Sequence, residues 1–334
     1  VARRHAGVIA ALLLAVLVWS AAPPARAASI TSIPVGVLPA GVAIDPSRNA
    51  VYVANEGDGT VSVVDPIAGV VTATISLVGD ARLGGAPAPV GVAVDPGLGL
   101  AYVTEAGAGR LAVIDEATWR LRTTVSVDGV PWGVAVDPTT HAVYVTCLAG
   151  SVDMIDGTTQ TLRTRVGDAA LRKPAGVAVD ASTHAVYVAN LADNTVSRID
   201  GGSLAVTATI AVGSAPVAVA IAPGGGAVYV ADSGSAAVSV IDPTINAVRA
   251  TWSTGQGPLA LASDGTGVLY ALAADGTVTA FDPSGTTLAT LADPALNGLQ
   301  GVAAGPSAVY MTAGAGNALL ALPLVAPESS PAQQ

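Results

Sequence analysis

The chain has 334 residues, 51% of them hydrophobic, with 14 basic against 24 acidic residues and a formal net charge of −10. That acidic balance argues against a dedicated nucleic-acid binder, because phosphate-backbone affinity is drawn from Lys and Arg. One cysteine, Cys147, leaves no internal disulfide, so stability has to come from packing.

The first 27 residues read as a leader. Arg3, Arg4 and His5 make a charged start, "AGVIAALLLAVLVW" (6–19) is an apolar run, and "ARA" (25–27) has the small-x-small pattern of a signal-peptidase site. Cleavage is expected before Ala28. A retained membrane anchor is the rival reading, but the run is shorter than the roughly 18–20 apolar residues that span a bilayer. Without the leader, 11 basic residues face 24 acidic ones, a net charge of −13. No later apolar run is long enough to cross a membrane. The mean hydropathy of +0.59 therefore belongs to many short buried elements. The expected place is extracytoplasmic, in the periplasm or cell envelope.

After the leader comes "SITSIPVG" (29–36), a strand without a unit of its own. From residue 39 the chain repeats. All seven tyrosines, Tyr52, Tyr102, Tyr144, Tyr187, Tyr229, Tyr270 and Tyr310, lie in near-copies of "VYVAN" spaced 50, 42, 43, 42, 41 and 40 residues apart. A period near 40 with strand-like content predicts a β-propeller at four strands per blade. The second unit shows all four: "VGVAVDP" (90–96) as strand a, "LAYVTE" (100–105) as b, "RLAVID" (110–115) as c and "LRTTVSV" (121–127) as d. Strands a and b are apolar on both faces, as blades stacked face to face require. Small residues fill strand a, where the taper toward the axis excludes bulk. The last unit supplies a strand a (301–305), b (308–313) and c (318–325) and then stops before a tail, 327–334. Residues 29–36 resemble the strand d "TATIAVG" (207–213). The N-terminal strand is thus expected to complete the last blade and remove its open edge.

Antiparallel order places the ends of strands a and c on one face of the ring and the ends of b and d on the other. Strand a ends in Asp45, Asp95, Asp137 and Asp180, and strand c in Asp65, Asp115, Asp156, Asp200, Asp242 and Asp282. One carboxylate per turn is turn chemistry rather than a calcium site, which needs about six converging oxygens. His141 and His184 precede strand b in adjacent units and read as turn-exposed histidines. Arg120/Arg122 and Arg163/Arg165 occupy matching places in neighbouring strands d, where charge blocks edge pairing.

The b/d-end face varies more and is the expected site. One ring, three residues after each Tyr, runs Asn55, Glu105, Cys147, Asn190, Asp232, Ala273 and Ala313. A second, near the start of strand a, runs Ala40, Val90, Trp132, Ala175, Val217, Leu259 and Gln300. Trp132 is expected at the channel mouth. Two d–a loops stand out: "VGDARLGGAPAP" (78–89) with Arg82, and "GDAALRKPAG" (167–176) with Arg172 and Lys173, the chain's only lysine. Trp132, Arg82, Glu105, Arg172, Lys173 and Gln300 are the candidate ligand-binding residues.

The stretch "PAGVAIDPSRNAVYVANEGDGTVSVVDPIAGVVTATI" (39–75) and its copies resemble the YVTN-repeat β-propellers, which include YncE-like exported proteins. The resemblance covers residues 29–325 and implies an all-β, seven-bladed ring. It implies little about activity, since propellers host many functions. The chain carries no GxSxG elbow, HExxH helix, phosphate loop or CxxCH haem motif. Cys147 has no base beside it in sequence and reads as a buried thiol. The expectation is a monomeric binding or interaction module for a protein or small ligand on the b/d-end face, with no catalytic residue, cofactor, metal or nucleic acid. The alternative is a propeller enzyme, a metal-dependent lactonase or lyase or a quinoprotein-like oxidoreductase. Its oxygens at the channel mouth would come from Glu105, Asp232, Asn55 and Asn190.

Overall fold

A computed structural model describes residues 30–77, 86–292 and 296–324. Val-, Ile- and Thr-rich runs bounded by Asp, Gly and Pro form strands because β-branched side chains pack well on a pleated surface. Among the described residues they make seven four-stranded antiparallel sheets, six of them in the order a-b-c-d of one repeat. The blades span 39–76, 89–126, 131–167, 174–211, 216–253, 258–292 and 299–323. In blade 2 the strands are Pro89–Asp95, Leu100–Glu105, Arg110–Asp115 and Arg120–Ser126. Strands b and c match the expected bounds, and strands a and d each begin one residue earlier.

The seventh sheet closes the ring. Thr31–Pro34 lies antiparallel to Ala318–Pro323, with Thr31 opposite Ala321 and Pro34 opposite Ala318. Each strand a packs on the strand a of the next blade, and blade 7 meets blade 1 in the same way. Strand b is buried along its whole length in every blade, while strand d alternates toward solvent. All seven tyrosines are buried between blades. The Tyr102 hydroxyl donates to the Gly157 carbonyl in the turn after strand c of blade 3, at 3.4 Å. The tyrosine is thus an interblade filler with a polar tip. No helix among the described residues is long and apolar enough to cross a membrane.

On the a/c-end face the aspartates do cap turns. Oδ1 of Asp95 accepts the Gly97 amide at 3.0 Å, and that of Asp137 accepts the Thr139 amide at 2.9 Å. The second oxygen does something the sequence did not suggest. Asp95 Oδ2 meets Nδ1 of His141 in the next blade at 2.8 Å, and Asp137 Oδ2 meets Nδ1 of His184 at 2.7 Å. The histidines are therefore not simple turn-exposed residues. Each is half-buried and latches its blade to the one before it. Burial alone would raise the Asp137 carboxyl, but Thr139 and His184 hold it below the usual range. On the outer edge, Arg163 pairs with Asp156 at 3.0 Å and Arg165 with Asp153 at 2.7 Å, so both guanidiniums are engaged within their own blade.

Candidate functional site

The seven strands a leave an axial cavity of about 620 Å³ that opens on the b/d-end face. Its wall is tiered. The mouth tier is the second ring read from the sequence: Ala40, Val90, Trp132, Ala175, Val217, Leu259 and Gln300. Below it lie Gly41, Gly91, Gly133, Gly176, Ala218, Ala260 and Gly301, then Val42, Val92, Val134, Val177, Val219, Leu261 and Val302. The tiers exist because strand a starts on a bulge. In blade 3, Pro131 faces Cys147 but Val134 faces Val145, so Trp132 and Gly133 together oppose Thr146 alone. A bulge re-aims the extra residue, and here the re-aimed residue is at the channel.

Threonines hold that bulge. Thr104 donates to the Trp132 carbonyl of the next blade at 2.8 Å and accepts the Gly91 amide of its own blade at 2.7 Å. Thr146 accepts the Gly133 amide at 2.9 Å and donates to the Ala175 carbonyl. Thr312 repeats the pattern with Gly301 and Ala40, across the ring closure. In blades 1 to 4 and 7 the second tier is glycine because the next blade's backbone comes close: a Cβ on Gly133 would stand 2.6 Å from the Ala175 carbonyl oxygen. Trp132 is thus clamped by its carbonyl and by the amide that follows it. Sequence reasoning passed over these threonines, although "YVT" in place of "YVA" marks the first two. Thr104→Val is expected to cost about 1–2 kcal/mol, since it leaves a part-buried amide and carbonyl without their partner. A urea midpoint equal to that of the parent would contradict this bracket.

The candidate residues divide. Trp132, Lys173 and Gln300 line the cavity, and Trp132 is 42% exposed. Leu148 and Leu191, in the b–c turns of blades 3 and 4, join the rim beside them. Gln300 belongs to blade 7, which in a ring of seven stands opposite the junction of blades 3 and 4. Arg172 is exposed on the same loop as Lys173 but does not line the cavity. Arg82 lies outside the described residues. Glu105 is fully buried beneath its own b–c turn, where Arg110 donates to Oε2 through Nε (2.9 Å) and Nη2 (2.6 Å). Burial raises the Glu105 carboxyl despite that partner.

The whole first ring behaves like Glu105, which corrects the expectation that it reaches the variable face. Asn55, Cys147, Asn190 and Asp232 are all fully buried. Asn55 Nδ2 donates to Thr60 Oγ1 at 2.9 Å and Ser62 Oγ at 3.0 Å, and Asn190 does the same with Thr195 and Ser197. Ser239 donates to Asp232 Oδ2 at 2.6 Å. These residues tie strand b to strand c inside a blade and do not line the axial cavity. Burial pushes the Cys147 thiol up to about 12, a value at which it is not a nucleophile near neutral pH.

Neither a protein-family model nor a curated protein matches the sequence. Solved structures do resemble the chain. Kuenenia stuttgartiensis hydrazine synthase aligns with a TM-score of 0.75 at 17% identity, over 87% of this chain and 96% of that one. Virginiamycin B lyase from Staphylococcus aureus aligns with a TM-score of 0.75 at 11% identity, over 89% of this chain and 99% of that one. The likeness is one of fold. At such identities the activity in either name does not carry over, because function lives in the site and not in the ring.

Proposed function

We propose that the protein is an exported binding propeller whose ligand enters the axial cavity from the b/d-end face. The cavity carries the reading. Its volume falls within the roughly 300–1,000 Å³ of small-molecule pockets, and such pockets are apolar with a few convergent polar groups. Here the wall is Gly, Ala, Val and Leu, and the polar groups are the Trp132 indole, Gln300 and Lys173. The enzyme reading asked for carboxylates at this mouth, but Glu105 and Asp232 are spent inside their blades. The leader-like residues 1–27 support an extracytoplasmic place, and the repeat at 39–75 supports kinship with the YVTN-repeat propellers.

A neutral apolar fluorophore, N-phenyl-1-naphthylamine, tests the site. Saturable binding at one site per chain is expected, weakened about tenfold in Trp132→Ala through loss of aromatic stacking worth roughly 1 kcal/mol or more. Absence of saturation, or equal affinity in the two proteins, would overturn the assignment.

A further inference from the structure

We infer that the ligand of this cavity is an amphipathic anion, an apolar or aromatic body carrying one carboxylate- or sulfonate-like group; the inference rests on the cavity being the binding site. Lys173 is the only lysine in the chain and, among the described residues, the only ionisable side chain on the cavity wall. Its charge is not a requirement of the fold. Lys173 sits in a left-handed turn (φ 55°) just before strand a of blade 4, and Leu38, Ala88 and Ala215 occupy the same turn in blades 1, 2 and 5 with φ of 50°, 42° and 51°. Among the described residues no carboxylate lies within 4 Å of its amine.

Its surroundings place the charge where an anionic head would rest. The turn is pinned by the Leu191 amide, which donates to the Lys173 carbonyl at 3.2 Å. Trp132 of the adjacent blade, with Leu148 and Leu191, forms an apolar shelf at the rim. An ammonium bordering an apolar wall attracts an anion more strongly than one in open water, because the local dielectric is lower. The small second tier leaves room below for the ligand body. The chain as a whole is acidic, so this single cation works against the general field and selects locally.

Two probes with one ring system separate the parts of the inference: N-phenyl-1-naphthylamine, which is neutral, and its anionic counterpart 1-anilinonaphthalene-8-sulfonate. Both are titrated into the full chain, into Lys173→Met, which keeps an unbranched apolar stem, and into Lys173→Arg. The sulfonate is expected to bind at least tenfold more tightly than the neutral probe, and rising salt should shrink that gap. Lys173→Met should abolish the gap by weakening the sulfonate relative to the neutral probe, and Lys173→Arg should keep it. Equal affinities in the parent, or a gap that persists in Lys173→Met, would overturn the anionic class and leave the cavity reading standing. Failure of both probes to bind would overturn the cavity reading, and the inference with it.

Discussion

A chain shortened to begin at Val35 is expected to melt about 10 °C lower than one that keeps Thr31–Pro34. The lost strand supplies the fourth ladder of blade 7, four residues paired with Ala318–Ala321. It also supplies Ile33, which is 2% exposed and packs on Val51, Val53 and Val64 of blade 1 and on Tyr310 and Leu319 of blade 7. Burying one isoleucine is worth about 2–3 kcal/mol, and a few ladder hydrogen bonds add roughly 1 kcal/mol each. A loss of about 5 kcal/mol in a domain of this size converts to about 10 °C at roughly 2 °C per kcal/mol. The damage does not stop at the edge, because Ile33 bridges the first and last blades and a ring opened at one joint loses its closure. The uncovered strand, "ALLALP", is an apolar edge that invites pairing with other chains. Scanning calorimetry with sedimentation reads both effects. An unchanged melting temperature and a monomeric truncated chain would show that the ring holds without this strand. Ile33→Asp in the full chain should move the transition in the same direction by a smaller amount.

The legible and illegible parts of this molecule differ in a physical way. The tyrosine period counted the blades because each blade must fill the same wedge between its neighbours, so one large side chain recurs at one strand position. The missing strand d of the last repeat pointed to closure because an open edge is costly. The mouth tier was legible for the same reason: the start of strand a meets the axis in every repeat, whatever its residue. The first ring misled because variation was taken as exposure. Its variation is compensated across the b–c turn, with Asn55 matched by Thr60 and Ser62, Glu105 by Arg110, and Asp232 by Ser239. A partner five or seven residues downstream that changes in step is the signal of a buried pair. The histidine latches and the threonine brackets join residues of different repeats, His141 with Asp95 and Thr104 with Trp132. They depend on how blades stack, which a period alone does not state.

Glu116 is a buried acid whose position went unread because the residue after strand c varies, with Pro66, Pro243 and Pro283 standing there in blades 1, 5 and 6. Gly157 and Gly201 hold the same place in blades 3 and 4, beneath Tyr102 and Tyr144. In blade 2 the glutamate side chain fills that space and is 2% exposed. It faces Asp45, Arg48 and Tyr52 of blade 1. Arg48 Nη1 stands 3.1 Å from Glu116 Oε2, but it also serves Asp45 at 2.8 Å, and among the described residues neither Glu116 oxygen accepts a well-formed hydrogen bond. Burial, then the Asp45 charge, pushes the Glu116 carboxyl up to about 7. A carboxyl raised on folding is held more tightly protonated in the native state than in the unfolded one. Its contribution is therefore fully favourable below the ordinary glutamate range and is lost as pH rises from there through about 7. That rise is worth on the order of 3 kcal/mol at 1.36 kcal/mol per unit. Glu116→Gln, which has the same shape and no charge, should match the parent's unfolding free energy near pH 4, as read by urea titration, and exceed it by that order at pH 8. Groups remote from this junction are common to both proteins, so the difference between the two curves reports Glu116 together with its neighbour Asp45. Parallel curves from pH 4 to pH 8 would mean that the ionised Glu116 is already satisfied at the junction of blades 1 and 2, and that Arg48 compensates it in full.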